Sequence, residues 1–164
     1  MADLWPNAFL PLFACKVDAA VPRYFLTVEY DGTPFFGWQV QAEGPSVQGA
    51  LIEAIGRATG ETVRVRGAGR TDTGVHATGQ VAHVDLAREW RPDKLRDAVN
   101  FHLKPAPIAV LAAREVPPDL DARFSATERR YLFRILPRRP QPVLDRNRVW
   151  WVPRPLDVPA MAEA

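Results

Sequence analysis

One cysteine, Cys15, stands in the whole chain. A lone thiol excludes an intrachain disulfide framework and fits a reducing, cytoplasmic setting. Long apolar runs are missing too. The best candidate, residues 9–14, is broken by Pro11 and preceded by Asp3 in place of a basic segment. It fits neither a signal peptide nor a membrane span, so a soluble chain with no membrane partner is expected. Acids are scarce where bases crowd. Residues 123–154 hold nine arginines (Arg123, Arg129, Arg130, Arg134, Arg138, Arg139, Arg146, Arg148 and Arg154) against Glu128 and Asp145 alone, a local charge of +7 on a chain of net +2. Such a patch suits phosphates as partners, or else forms a solvated arginine-rich face.

The 164 residues suit one domain or one and a fraction, and 47% hydrophobic content is ample for a core. Residues 1–21 show no periodicity and read as a loose leader. "RYFLTVEYDG" alternates Tyr24, Leu26, Val28 and Tyr30 against Phe25, Thr27 and Glu29, a strand pattern closed by an Asp-Gly turn. In "PSVQGALIEAIGRATG", Val47, Leu51, Ala54, Ile55 and Ala58 recur at helical spacing between a Ser46 cap and a Gly60 stop. "TVRVR" (62–66) and "QVAHVDL" (80–86) read as strands. "RPDKLRDAVNFHL" reads as an amphipathic helix opened by Pro92, with Leu95, Ala98, Val99 and Leu103 on one face. "PIAVLAAREV", "ERRYLFRIL" and "RVWWV" complete the set as strands. Asp157 and Pro159 then open a helix that the chain carries for about one turn.

The order is β-α-β-β-α-β followed by extra strands. It predicts an α+β, ferredoxin-like (RRM-like) sheet with helices on one face and the other face free, as RNA-binding modules use it.

Between the second and third strands lies "RGAGRTDTGVHATGQVAH" (66–83), with one acid, Asp72, two residues after Arg70. Gly69 and Gly74 have P-loop separation, but Val75 and His76 follow where Lys and Ser/Thr are required. A dinucleotide fingerprint would need glycine where Asp72 stands. Asp72, His76 and His83 lack the further carboxylate or cysteine of a recognised metal spacing, so no metal is expected. His83 reads as a strand residue and His76 as a loop hydrogen-bonder. Two readings stay open on the loop alone. Asp72 either caps a turn and pairs with Arg70, or is an active-site carboxylate.

Four blocks carry a resemblance. "GRTDTGVHATGQVAH" resembles the catalytic loop of the tRNA pseudouridine synthase A family. "EYDGTPFFGWQ" (29–39) resembles its first strand and turn, "SVQGALIEAI" its first helix, and "ARFSATERRYLFRI" (122–135) its RNA-contacting segment. They lie in family order across residues 23–160.

The resemblance implies the pseudouridine synthase fold and isomerisation of uridine to pseudouridine in the tRNA anticodon stem-loop, at positions 38, 39 and 40. It implies no cofactor, and a homodimer. Asp72 matches the essential aspartate, which attacks C1′ or removes the 2′ proton. Arg70 matches the arginine paired with it, an adjacent guanidinium that keeps the carboxylate ionised and fixes its rotamer. Tyr131 matches the tyrosine that stacks on the target base, the bland alternative being a core aromatic. Gly69, Gly74 and Gly67 would let backbone approach RNA closely. Arg123, Arg129 and Arg130 are the candidate phosphate contacts. Trp150 and Trp151 read as core or rim.

Asp121 stands where the family often has histidine, an anion near the expected RNA path. Family members also continue into a second half. Residues 22–155 are therefore expected to be an N-terminal catalytic domain, and 156–164 the start of a helix leading into that half. The competing readings are a fragment that only binds tRNA, and a ferredoxin-like domain whose loop is merely a turn.

Overall fold

The computed structural model describes residues 21–163. The expectation of a loose leader over 1–21 therefore falls, Val21 apart, outside the described residues. The alternation in the first strand becomes β1 (Arg23–Tyr30), with Tyr24, Leu26, Val28 and Tyr30 buried on one face. α1 (Val47–Thr59) starts at Ser46, whose Oγ accepts from the Gly49 amide at 3.1 Å, and ends at Gly60 with φ +76°. That angle is one glycine adopts without a Cβ clash, so both helix signals act as the sequence predicts.

β2 (Val65–Gly67) and β3 (Ala77–Asp85) follow, then α2 (Pro92–Leu103) with Pro92 in its first turn, and β4 (Ile108–Val116). The four strands form one antiparallel sheet in the order β2-β3-β1-β4. Leu51 and Ile55 of α1, and Leu95 and Val99 of α2, share one core with Tyr24, Leu26 and Val28. Both helices therefore cover the same sheet face. Each fully buried aliphatic side chain there contributes about 1.5–3 kcal/mol. Polar ties complete the layer. The Asn100 side chain donates to the Val110 carbonyl and accepts from its amide, both at 2.8 Å, and the Tyr24 hydroxyl accepts from the Trp90 amide at 2.8 Å. Among the described residues no helix is long and apolar enough to cross a membrane.

Three expectations need correction. "TVRVR" is extended in the ladder only from Val65, and the strand expected at residue 80 already begins at Ala77. The loop between β2 and β3 is thus the shorter Ala68–His76. The strand expected over 128–136 is irregular as far as Arg134, and only β5 (Ile135–Pro137) pairs, parallel to β6 (Trp150–Val152). Among the described residues no strand pairs with 128–133, so the backbone groups there have no ladder to join, while the Arg134 carbonyl already accepts from the Trp150 amide at 2.8 Å. α3 (Val158–Glu163) closes the described chain, with the Asp157 carboxylate accepting from the Ala160 amide at 3.1 Å.

Candidate active site

The loop Ala68–His76 is held from both sides. At its start, the Ala68 amide donates to the Val81 carbonyl at 2.7 Å, and the Gln80 side chain donates to the Gly69 carbonyl at 2.9 Å. In its middle, the Thr71 carbonyl accepts from the Trp38 amide at 2.9 Å, and the Thr71 and Tyr30 hydroxyls share a hydrogen bond of 2.9 Å. Burial, against that hydrogen bond, raises Tyr30 above its ordinary range, so its hydroxyl keeps its proton. At the end, the Gly74 amide reaches the Phe35 carbonyl at 3.3 Å.

The seat of the loop is the segment 31–39. Gly37 has φ +87°, and a Cβ there would lie 2.5 Å from the Thr71 carbonyl oxygen. A Cβ on Gly32 would lie 2.0 Å from the Val75 carbonyl oxygen. Only glycine allows these backbones to touch. Trp38 is buried, and its ring fills the space beside Gly67. The close approach expected at Gly67 is therefore made by Trp38, from within the protein. Tyr30, Gly32, Gly37 and Trp38 position the loop, which the residue-level reading missed. The signal was the Asp31-Gly32 turn with Gly37 and Trp38 following it.

Asp72 and Arg70 are exposed on the rim of an open cleft of about 380 Å³, shared with Phe36, Gln39, Gln41, Thr71 and Thr73. The expected Arg70–Asp72 ion pair is not formed. Among the described residues, no protein group bonds to either side chain. The backbone is over-determined while the carboxylate it presents is open to a ligand.

Tyr131 meets the same loop. An atom at the Cβ position of Gly69 would lie 4.0 Å from the Tyr131 hydroxyl and 3.8 Å from Arg129 Nε. The tyrosine is 78% exposed, so the core-aromatic alternative does not hold. Gly74, by contrast, has φ +78° and open space around it, so it serves the turn itself.

The three candidate phosphate-binding arginines differ. Arg130 pairs with Glu128 at 2.7 Å on the surface, and Arg123 lies over the Phe124 ring at 5.8 Å. Arg129 turns inward to backbone carbonyls. Trp150 packs edge-on against Phe133, and Trp151 donates to the Arg138 carbonyl at 2.8 Å; both are exposed and neither lines the Asp72 cleft.

The histidines behave as read. His76 Nδ1 accepts from the Gly32 amide at 3.1 Å, which leaves Nε2 to donate to the Asn147 carbonyl at 2.6 Å. His83 is buried in β3, and its Nδ1 accepts from the Ala122 amide at 3.0 Å. Among the described residues no cluster of three or more His, Cys, Asp or Glu could hold a metal ion. Asp121 caps a turn. Burial opposes its charge, but the Arg123 and Phe124 amides, donating at 2.8 and 3.2 Å, hold it below the usual carboxylate range. The departure at this position is thus turned to local structure.

Residues 26–125, which span this sheet and loop, match the model of the tRNA pseudouridine synthase family. The chain belongs to that family. The tRNA pseudouridine synthase A of Xanthobacter autotrophicus is 63% identical over 144 residues, covering 88% of this chain and 59% of the relative. That of Azorhizobium caulinodans is 62% identical over 141 residues, covering 86% and 55%. One from Cereibacter sphaeroides is 61% identical over 144 residues, covering 88% and 56%. The chain thus spans 55–59% of the length of these curated relatives.

Proposed function

We propose that this chain carries the catalytic portion of an enzyme that isomerises uridine to pseudouridine in the tRNA anticodon stem-loop, with Asp72 as the catalytic carboxylate. The observation that supports it best is the contrast at the loop: a backbone pinned by Trp38, Tyr30, Phe35 and Gln80, carrying an exposed carboxylate with no partner among the described residues. Function on a fixed loop of a rigid scaffold fits that arrangement, and capping of a turn does not. We read β1 to β4 with α1 and α2, in the strand order β2-β3-β1-β4, as the ferredoxin-like arrangement, and residues 22–155 as the catalytic domain.

In this reading the C1′–N1 bond of the uridine breaks, the uracil turns over, C5 joins C1′, and the C5 proton leaves. Asp72 acts at the sugar, either on C1′ or on the 2′ proton. A stem uridine must leave its stack first, at a cost of a few kcal/mol. The exposed ring of Tyr131 beside Gly69 receives the base, and Arg70 on the same rim holds the nucleotide once RNA is bound. The arginines of 123–154 other than Arg129 attract the phosphates, and the working enzyme is a cytoplasmic homodimer.

The alternative is a tRNA-binding module without activity. What favours it is the arginine-rich segment 123–154 with the exposed Tyr131, which suffices to bind RNA whether or not Asp72 reacts. Release of tritium from uridine C5 of anticodon-stem tRNA separates the two. Release by this chain and none by Asp72→Asn supports the enzyme. Binding without release by either supports the module.

A further inference from the structure

Arg129 is the candidate phosphate ligand whose geometry least resembles one. Its Nε and Nη2 donate to the Ala68 carbonyl at 3.2 and 3.0 Å, and Nη2 donates also to the Arg123 carbonyl at 2.8 Å. Both carbonyls belong to fixed structure. Ala68 opens the catalytic loop and is itself bonded to Val81 of β3. Arg123 lies in the turn 121–125, closed by Ser125 and Asp121 bonding each other and held to β3 through Ala122 and His83.

The segment that carries Arg129 has little else to hold it. Among the described residues, Arg129 makes the only hydrogen bonds from 126–133 to residues outside that segment, since the Arg130–Glu128 pair is internal to it. Tyr131 follows two residues later, with its hydroxyl beside Gly69.

We propose that Arg129 is a positioning residue: one guanidinium fork fastens the start of the Asp72 loop to the turn 121–125 and thereby sets Tyr131 over that loop. This deepens the function proposed above and rests on it for its catalytic consequence. A planar guanidinium can bridge two carbonyls at once, while a lysine ammonium keeps the charge and loses the fork. A phosphate contact has the opposite requirement, being satisfied by either cation.

The test compares this chain with Arg129→Lys and Arg129→Ala in three measurements: amide exchange over 68–76 and over β1, salt dependence of tRNA binding, and C5-tritium release with enzyme in excess. The expected result is exchange over 68–76 faster by about tenfold in both variants, with β1 unchanged. The salt slope stays at the parent value, and release slows about tenfold at saturating enzyme.

An Arg129→Lys variant equal to the parent throughout, with Arg129→Ala losing about one unit of salt slope, would make Arg129 a phosphate ligand and overturn the proposal. Unchanged exchange over 68–76 in Arg129→Lys overturns it too, as does faster exchange in β1, which would make Arg129 a residue of the general fold. If the parent releases no tritium, the activity reading fails by itself, and exchange over 68–76 still decides the role of Arg129.

Discussion

Tyr24 and Tyr131 both stand in apolar-rich runs that read as strands, yet Tyr24 is fully buried and Tyr131 is 78% exposed. β1, which carries Tyr24, lies between β3 and β4 and beneath α1 and α2, so its ladder and its apolar face are both satisfied. The segment around Tyr131 has neither neighbour among the described residues, and Leu132 and Phe133 beside it are exposed as well. An apolar, strand-like run is thus one condition for a strand, and a paired edge is the other. What holds the second segment against the first is side-chain bonding to backbone, through Arg129 and the Asp121 turn. The first region is a scaffold made by burial, and the second is a clasp made by hydrogen bonds.

The largest expected effect breaks the scaffold. Leu51→Ala, at a fully buried site, should cost about 2–5 kcal/mol by urea denaturation, against less than about 0.5 for Leu132→Ala. Equal losses would mean that the two regions share one core. Next comes the seat of the loop. Gly37→Ala forces a Cβ toward the Thr71 carbonyl at φ +87°, and should cost more than about 1 kcal/mol. Its effect should centre on amide exchange over 68–76, and a shift confined to α2 would contradict the assignment.

A smaller effect comes from pH. Burial, helped by Arg23, pushes His83 below its ordinary 6.5, with Asp121 and Asp85 opposing. The unfolded chain then binds the proton more readily, so stability is complete above pH 6.5 and falls as pH drops from there toward the folded value. Asp85, held below 3.8 by its hydrogen bond from Arg23, adds a second loss at lower pH. The urea midpoint should decline on acidification, and His83→Gln should remove the first part of that decline. A midpoint that rises on acidification would reverse the sign and refute the assignment.

Much of this was legible in the sequence wherever a local signal had a local cause. Ser46, Gly60 and Pro92 mark helix ends through their own backbone chemistry, and the structure uses them so. The period of two in β1 needed only a core to face. The unformed strand at 128–134 was not legible, because pairing depends on a neighbour that no local pattern encodes. At the site, Asp72 stood out as the lone acid of a glycine-rich loop. The work of Gly37 and Trp38 did not, since their contacts to Thr71 and Gly67 span some thirty residues of sequence. Arg129 was read by its charge, and its bonds go to carbonyls because the fold brings Ala68 and Arg123 within its reach.

The most direct test of the account is Asp72→Asn followed by two readouts on one preparation, the urea midpoint and C5-tritium release. The account predicts an unchanged midpoint with release abolished, because the carboxylate is exposed and bonded to no side chain or backbone group among the described residues, while the backbone beneath it is pinned elsewhere. A lowered midpoint with release retained would make Asp72 a turn residue and contradict the account.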